Sequence, residues 1–439
     1  MTIAALASSA NAQNPAQVQA RKTTDFLNSI GICTTFPDRG QPLDKTIEMI
    51  NYCGFRWVRG GIEGLSDKPD GATTLDTYIK LCKATGMKTN WGLVSGGSDL
   101  ERLLRTARRL HDEGVLLAFE GNNEPNNWGV TYKGEKGGWN GSWVALAKLQ
   151  NDLYKAVKAD PQYKDYPVWG ASEMGGQVDN VGMHYTEIPE GADTVMPVGT
   201  KYQDVLNVHN YIYHPNSPRY EDNKTWNCSD PGPACKIDGL WGNHGITWKG
   251  KFKGYSEEEL ATIPRVTTET GMTIGDDITE EIHGLHLINI FLAQFARGWS
   301  YTSVYLLRDR TDESGNQKFG YYAPDYTPRK AAFNLHNLTT ILQDKGDGGL
   351  KTAGTLAYAI ENRTPTVHDL LLQRSDGKFQ LVVWGEKAQG RDFVTVRFAE
   401  PKSVKIYDPT TGAEPLRTFD ATTAFDLVMS NHPFVLEVE

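Results

Sequence analysis

The chain has 439 residues, of which 39% are hydrophobic and 23% charged, and its formal net charge at pH 7 is −9. This composition is typical of a globular protein, and the acidic balance disfavours a nucleic-acid partner, which would need clustered positive charge. No run of about 18 apolar residues is present, so we expect no insertion into a membrane. With 11 Trp, 19 Tyr and 44 Gly, the chain is suited to a polar ligand with flat apolar faces, such as a sugar.

The N-terminal segment has part of the pattern of an export signal. The triplet Ala10-Asn11-Ala12 has the small-x-small form of a signal-peptidase site, although the charged start and most of the apolar core are missing. We therefore interpret residues 1–24 as a signal-peptide remnant or a disordered N-terminus. This interpretation predicts a secreted or periplasmic protein.

Five cysteines are too few for a disulfide scaffold, and no C-x-x-C pair indicates zinc. Cys228 and Cys235 flank a short Pro/Gly-rich stretch. They either close this stretch as a disulfide, which an oxidising compartment would favour, or remain free thiols.

Short β-rich runs alternate with helix-length segments along the first three quarters of the chain. Alternation of this kind indicates right-handed βαβ crossovers and a parallel sheet. The pattern predicts a closed (β/α)8 TIM barrel over residues 25–345. A doubly wound open sheet is the alternative, but it would require a Gly-rich phosphate-binding turn after the first run, which residues 34–40 lack. The eight runs are residues 30–36, 56–61, 88–95, 115–122, 166–172, 205–211, 265–271 and 299–307.

The character of the sequence changes after residue 345. Residues 346–439 contain short segments of alternating hydrophobicity, separated by turn signals such as Ser375-Asp-Gly377. This spacing predicts a C-terminal antiparallel β-sandwich domain after the α/β barrel.

Two carboxylates stand at the ends of predicted barrel strands. Glu124 follows strand four and Glu269 ends strand seven, and these strands lie across the barrel from each other. Because the carboxyl ends of barrel strands form one rim, both side chains can point into the mouth. Two facing carboxylates are what hydrolysis of a glycosidic bond needs: one protonates the departing oxygen, and the other attacks the anomeric carbon or activates water. A solvated loop charge is the alternative for either residue.

The motif Asn123-Glu124-Pro125, with a second Glu at the end of strand seven, resembles the retaining glycoside hydrolases of clan A. The stretch from Phe119 to Asn126 is similar to families 39 and 51 in particular. This resemblance covers the barrel, and members of the clan often carry a C-terminal β-sandwich. It implies that Glu124 is the general acid/base and Glu269 the nucleophile.

Further site residues are expected around this pair. Asn123 would donate a hydrogen bond to the sugar 2-hydroxyl, unless it only forms a turn. His209 and Tyr211 share one face of strand six, and the resemblance implies that the Tyr hydrogen-bonds the nucleophile; a core histidine is the alternative. The resemblance also implies that Arg59 on strand two holds the nucleophile ionised, rather than forming a surface salt bridge. Glu120 is interpreted as a buried, paired barrel carboxylate.

Aromatic residues cluster in the long segments after strands four and six. Sugar rings stack on such side chains, although the same rings also serve as hydrophobic cover. Among them we predict substrate contacts for Trp128, Trp139, Trp226 and Trp241. The whole set is Trp128, Tyr132, Trp139 and Trp143 after strand four, and Tyr213, Tyr220, Trp226, Trp241 and Trp248 after strand six.

The sequence thus predicts a secreted, retaining β-glycoside hydrolase that cleaves an oligo- or polysaccharide by double displacement, without a metal or other cofactor. One alternative is a non-catalytic carbohydrate-binding protein on a hydrolase barrel, which the presence of both glutamates disfavours. Another is a metal-dependent barrel hydrolase, which is disfavoured because no His-x-His follows the first strand.

Overall fold

The computed structural model describes residues 14–34, 41–68, 71, 73–139, 142–174, 202–209, 211, 258, 262–275, 278–311, 318–344, 350–386 and 390–439. These residues divide into two compact units. One is Phe26–Thr340, and the other joins the described residues up to Asp25 with Ile341–Glu439. The predicted boundary between residues 345 and 346 lies outside the described residues.

Strands are labelled here in chain order. They are β1 (Ala16–Gln19), β2 (Arg21–Lys22), β3 (Ile30–Cys33), β4 (Trp57–Gly61), β5 (Lys88–Gly92), β6 (Leu116–Glu120), β7 (Val130–Tyr132), β8 (Glu135–Gly137), β9 (Val168–Trp169), β10 (Glu173–Met174), β11 (Leu206–His209), β12 (Arg265–Thr270), β13 (Trp299–Val304), β14 (Thr355–Glu361), β15 (Val367–Gln373), β16 (Phe379–Gly385), β17 (Asp392–Tyr407), β18 (Arg417–Met429) and β19 (Pro433–Val438).

Helices of the described residues are labelled in the same way. They are α1 (Thr23–Asn28), α2 (Leu43–Cys53), α3 (Leu75–Thr85), α4 (Leu100–Asp112), α5 (Pro125–Trp128), α6 (Val144–Ala159), α7 (Glu280–Ala296) and α8 (Lys330–Ile341). None of them combines the length and the apolar composition that a transmembrane span requires.

Parallel strands form a nearly closed barrel in the first unit. From β3, pairing runs through β4, β5 and β6 to β9 in one direction, and through β13, β12 and β11 to β10 in the other. A parallel bridge between Trp169 and Val205 joins the two ends beside the β10–β11 pair. With β9 and β10 counted as one interrupted strand, each of the eight predicted runs supplies one barrel strand, which confirms the parallel barrel and rules out the open sheet.

Helix α4 illustrates why the connecting segments are helical. The Asp99 side chain accepts a hydrogen bond from the backbone N–H of Arg102 at 2.9 Å and so caps the first turn. Leu103, Ala107 and Leu110 recur at helical spacing and are fully buried, whereas the intervening arginines are more exposed. The helix therefore has one apolar face to bury and one polar face for solvent.

A layer of aromatic and aliphatic side chains fills the barrel interior. The Trp57 and Trp169 rings meet edge to face, with centroids 5.5 Å apart, and pack with Ala118 and Val266. Gly31 makes this possible, because a Cβ at that position would lie 2.1 Å from the Trp57 ring. The packed layer gives the residues at the strand ends a rigid base.

The second unit is a mostly antiparallel sheet with its own core. Strand β17 pairs with β14, β18 and β19, and β16 joins β19 to β15. Apolar side chains from these strands form one buried cluster that includes Leu381, Val396 and Leu436. The prediction of an antiparallel β unit is confirmed, while its description as a two-layer sandwich stays a prediction, since the strands join in one hydrogen-bonded sheet.

The N-terminal segment corrects one interpretation. The interpretation of residues 1–24 as a signal-peptide remnant or a disordered N-terminus is wrong from Ala16 onward, because β1 pairs antiparallel with β14 and β2 pairs parallel with β15. In addition, the Ala20 side chain is buried in the core of the second unit. Residues from Ala16 onward are therefore part of the fold, because their backbone groups complete the edges of the sheet. The Ala10-Asn11-Ala12 triplet lies outside the described residues.

Candidate active site

Glu124 is held in an unusual backbone conformation just beyond β6. Its φ of 40° and ψ of 59° lie in the left-handed region, which costs a non-glycine residue about 1–3 kcal/mol. Pro125 begins α5 directly after it and disfavours the right-handed helical conformation for Glu124. The Glu124 N–H donates to the Ser172 carbonyl at 2.7 Å, which anchors the turn to the neighbouring segment. The strained turn presents Glu124 to the barrel mouth.

Glu269 lies near the end of β12 and accepts hydrogen bonds on both carboxylate oxygens. Arg59 on β4 donates from Nη1 to Oε2 at 2.8 Å, and the Tyr211 hydroxyl donates to Oε1. These contacts match the arrangement that the resemblance implied for Arg59 and Tyr211. An ionised Glu269 is stabilised by one cation and one neutral donor.

The two glutamates face each other, with His209 beside both. His209 Nδ1 lies 2.8 Å from Glu124 Oε1 and 4.0 Å from Glu269 Oε2. One oxygen from each glutamate and a ring nitrogen of His209 all lie within 4.8 Å of one another. The structure therefore brings together residues that the sequence separates widely.

Asn127 is a contact of Glu124 that is not predicted from the sequence. Its Nδ2 donates to Glu124 Oε2 at 3.0 Å from the first turn of α5. The spacing of three residues could have indicated this contact, since side chains three positions apart lie on the same side of a helix.

Asn123, which directly precedes Glu124, is hydrogen-bonded to Arg59 and Ser95. Its Oδ1 accepts from Arg59 Nη2 at 2.8 Å, and its Nδ2 donates to Ser95 Oγ at 3.2 Å. The side chain is partly exposed and lines the cleft. Its predicted contact with a sugar hydroxyl stays a prediction.

Glu120 is buried below the cleft and paired with Arg59. Arg59 donates to Oε1 from Nη2 at 2.8 Å and to Oε2 from Nε at 3.3 Å. Asn90, Asn207 and Thr268 also donate to this carboxylate. These three contacts were not predicted. Polar side chains within otherwise buried strands could have indicated them, because such side chains need hydrogen-bond partners.

Burial and charge determine the protonation states around the glutamates. Burial lowers the pKa of His209 to about 4, although the charge of Glu269 acts in the opposite direction. Burial raises the pKa of Tyr211 well above its ordinary value, and the charge of Glu269 adds to this rise. Burial alone would lower the pKa of Arg59, but Glu120 and Glu269 more than offset it and raise that pKa. At neutral pH the imidazole and the phenol are therefore neutral and the guanidinium is charged.

A cleft of about 740 Å³ opens above these groups. Glu124 and Glu269 line it together with Glu63, Ser95 and Trp128. The Trp128 side chain is 55% exposed, so one face of its indole is available to a ligand. The size suits one or two sugar rings, and the mixture of carboxylates, hydroxyls and one indole suits their chemistry.

The other predicted aromatic residues differ in their surroundings. Trp139 is 48% exposed and packs on the end of α5, where its Nε1 donates to the Asn127 carbonyl at 3.0 Å. The prediction that Trp143 belongs to the rim is wrong, because its side chain is fully buried in a core with Leu206 and Val208. Tyr132 donates to Asp152 on α6 at 2.7 Å. The remaining predictions concern residues that lie outside the described part of the chain, namely Tyr213, Tyr220, Trp226, Trp241, Trp248, Cys228 and Cys235.

Glu124, His209 and Glu269 are the three described residues whose ligand atoms lie close enough to hold a metal ion together. However, both oxygens of Glu269 already accept hydrogen bonds, one of them from the Arg59 cation. A cation at 2.8 Å from a carboxylate oxygen opposes a second positive charge there. The arrangement is that of an ion-paired carboxylate, Glu269, facing the hydrogen-bonded pair of Glu124 and His209.

The chain matches no family model, and no curated protein matches its sequence. Its fold does match solved structures. One is a family 39 glycoside hydrolase from the gut symbiont Bacteroides cellulosilyticus WH2, with a TM-score of 0.58 and 17% identity over 94% of this chain and 82% of that chain.

Two further structures show the same likeness. A family 51 arabinofuranosidase from Xanthomonas axonopodis pv. citri has a TM-score of 0.54 and 11% identity over 97% of this chain and 98% of that chain. An endo-β-1,6-glucanase has a TM-score of 0.50 and 13% identity over 99% of this chain and 95% of that chain. The structural neighbours are thus glycoside hydrolases, and at these identities the likeness shows a shared fold.

Proposed function

We propose that this protein is a retaining β-glycoside hydrolase that cleaves an oligo- or polysaccharide by double displacement. The observation that carries the proposal is the pair Glu124 and Glu269, of which one oxygen from each carboxylate lies within 4.8 Å of the other across the barrel mouth. Retaining enzymes place their two carboxyl groups about 5–5.5 Å apart, whereas inverting enzymes leave room for a water between them. The fold shared with glycoside hydrolases supports the same conclusion.

Glu269 is the nucleophile in this proposal. Arg59 at 2.8 Å and the Tyr211 hydroxyl both favour its ionised form, which is the form that attacks an anomeric carbon. Attack forms a glycosyl–Glu269 ester and breaks the glycosidic C–O bond.

Glu124 is the acid and then the base. It gives its proton to the departing glycosidic oxygen in the first step and takes a proton from water in the second. The water then attacks the anomeric carbon and releases Glu269, so that two inversions give net retention. The hydrogen bond from Asn127 holds the Glu124 carboxyl in place without supplying a charge.

The proposed substrate contacts are made by polar groups and one indole. Asn123 would bind the hydroxyl next to the anomeric carbon, and Trp128 would stack on a sugar face. Export to the periplasm or medium remains part of the proposal, because polysaccharide is encountered there and the N-terminus contains the Ala10-Asn11-Ala12 triplet.

A panel of aryl β-glycosides and polysaccharides, followed by proton NMR of the first-formed sugar, tests this function. Retention predicts that the β-anomer appears first and mutarotates later. The α-anomer appearing first would overturn the retaining assignment. Binding of glycans without any turnover, in protein whose fold is verified, would instead support the carbohydrate-binding alternative.

A further inference from the structure

We propose that a buried hydrogen-bond chain from Glu120 through Thr268 and His209 keeps Glu124 protonated in the free enzyme, with Thr268 and His209 as positioning residues. The inference rests on the proposed function, because it explains how the acid retains its proton before substrate arrives. The position of each hydrogen atom along these four hydrogen-bonded residues determines which atom of the last pair carries the proton.

The first link is Glu120, which acts as an acceptor on both oxygens. Charged Arg59 donates to each oxygen. Two asparagine amides also donate, and backbone contacts fix their orientation. The Asn90 oxygen accepts the Gly60 N–H at 3.0 Å, and the Asn207 nitrogen donates to the Gly170 carbonyl at 3.3 Å. Glu120 therefore presents only lone pairs to its next neighbour.

The second link is the Thr268 hydroxyl, which has a single hydrogen and three neighbours. Its Oγ1 lies 2.9 Å from Glu120 Oε1, 3.1 Å from Asn207 Oδ1 and 3.0 Å from His209 Nε2. The first two neighbours are acceptors, since Asn207 Oδ1 also accepts the Thr268 N–H at 3.3 Å. The hydroxyl hydrogen must point to one of them, and a lone pair faces His209.

The third link sets the tautomer of His209. Nε2 must carry the hydrogen in order to donate to Thr268, and a neutral imidazole then has a bare Nδ1. That bare nitrogen lies 2.8 Å from Glu124 Oε1. Two lone pairs at this distance would repel each other, so a proton sits between them, and it belongs to Glu124 because burial lowers the pKa of His209 to about 4.

Charges around the pair agree with this position of the proton. Glu269 and Glu120 contribute two negative charges and Arg59 one positive charge, which favours a neutral Glu124 over a third carboxylate. Among the described residues, the titratable groups that act on this pair or on its neighbour Tyr211 include Arg59 from β4, Glu120 from β6, Glu269 from β12, Tyr211 itself after β11 and Tyr305 after β13.

The same hydrogen bonds also favour the second chemical step, in which Glu124 acts as the base. Once Glu124 has given its proton to the departing oxygen, its carboxylate faces the bare Nδ1 and gains no hydrogen bond from it. A carboxylate that receives no hydrogen bond from the imidazole is a stronger base than one that does, and it recovers a proton from the attacking water. The same tautomer therefore serves both roles of Glu124.

Nitrogen-15 NMR of the histidine ring reads the tautomer directly, whether or not the protein turns over substrate. The His209 signals are assigned by their loss in His209→Gln. At pH 7 the expected result is a protonated Nε2 and a bare Nδ1. A protonated Nδ1 in the wild-type protein would overturn the proposal. A bare Nδ1 in a protein without glycosidase activity would support the proton placement while refuting the proposed function.

Thr268→Val removes the acceptor of the Nε2 hydrogen and keeps the shape of the side chain. His209 can then carry its hydrogen on Nδ1 and donate to a Glu124 carboxylate, so the pKa of Glu124 falls. The basic limb of the kcat/KM profile should move to lower pH by about one unit, while the acidic limb stays in place.

Two variants serve as controls for this shift. Thr268→Ser keeps the hydroxyl and should keep the wild-type profile. Thr302 lies on β13, next to β12, and its buried hydroxyl donates to Gln294 on α7 at 2.7 Å. Thr302→Val removes this hydroxyl and should lower stability without moving either limb. An unmoved basic limb in folded Thr268→Val, or an equal movement in Thr302→Val, would contradict the proposal.

Discussion

Arg59 contacts Glu120 through two guanidinium nitrogens, Nε at 3.3 Å and Nη2 at 2.8 Å, while its third nitrogen reaches Glu269 at 2.8 Å. One cation thus neutralises a structural carboxylate below the cleft and the proposed nucleophile within it. From the sequence, only a contact of Arg59 with the nucleophile is expected, and Glu120 is expected to be paired with a partner that the sequence does not identify. The structure makes them members of one network.

Replacing Arg59 with Met should therefore affect stability as well as activity. It leaves two carboxylates without their cation, and breaking a buried ion pair in this way costs about 3–5 kcal/mol. Urea unfolding measures the loss. Arg56→Met, an exposed position one residue before the same strand, is the matched control and should change the free energy of unfolding by about 0.5 kcal/mol or less.

Combining Arg59→Met with Glu120→Gln should recover part of that stability, because one of the unpaired charges is gone. Activity should stay low, since Glu269 still lacks its cation. Full recovery of kcat in the double variant would show that Arg59 acts through Glu120 alone.

Azide should distinguish the roles of the two glutamates. In Glu124→Ala, an aryl β-glycoside with a good leaving group still forms the glycosyl–enzyme, but no base activates water, so the second step stalls. Azide needs no base and should restore turnover, giving the β-glycosyl azide. In Glu269→Ala, direct attack by azide should give the α-anomer.

The control for the azide experiment is Glu135→Ala, which removes an exposed carboxylate paired with Lys148 on the barrel surface. It should behave as the wild type. Exchange of the two anomeric products between the site variants would reverse our assignment of acid/base and nucleophile.

Trp128→Ala should weaken substrate binding more than chemistry. The exposed indole lines the cleft but lies outside the hydrogen-bonded network of the glutamates. Loss of one stacking surface is worth about 1 kcal/mol, or about a fivefold to tenfold rise in KM with kcat largely retained. Phe333→Ala, which removes an exposed ring on α8, should leave KM unchanged. Equal effects of both variants would remove Trp128 from the substrate site.

Acid should destabilise the barrel unit through its buried histidines. Burial lowers the pKa of His209 and His286 to about 4 and that of His283 to about 3, from an ordinary value of 6.5. Below pH 6.5 these histidines are therefore protonated in the unfolded chain but remain neutral in the folded protein. The contribution of each neutral histidine to the free energy of unfolding is present above this pH and is lost as the pH falls towards 4. The loss is roughly 2 kcal/mol per histidine between pH 6.5 and 5.

His283→Gln tests the origin of this slope, because glutamine does not titrate. Urea unfolding between pH 7 and 5 should show a shallower loss of stability than in the wild type. Identical slopes in the two proteins would assign the acid sensitivity to other groups.

Several features were predictable from sequence because they depend on local pattern. Each predicted β-rich run contains a barrel strand, since strands buried on both faces have a distinctive apolar composition. Strand order then placed Glu124 and Glu269 on one rim, because parallel strands in a barrel share their carboxyl end. Arg59, His209 and Tyr211 followed from position and from resemblance.

Other features were not predictable because they depend on which distant groups meet. Trp143 looks like a rim aromatic in sequence, yet it is buried by residues from β11 and α6. Residues from Ala16 to Lys22 look like an unstructured leader, yet they pair with β14 and β15, which lie far along the chain. Local composition contains no information about such partners.

By itself, therefore, the sequence determined the strand–helix alternation, the rim of the barrel and the identity of the two carboxylates. Only the tertiary structure decided their environments: Arg59 and Tyr211 on Glu269, and His209 on Glu124. The reason is that backbone propensity and hydrophobic period act over a few residues, whereas charge and hydrogen bonding act between side chains in contact, whatever their separation along the chain.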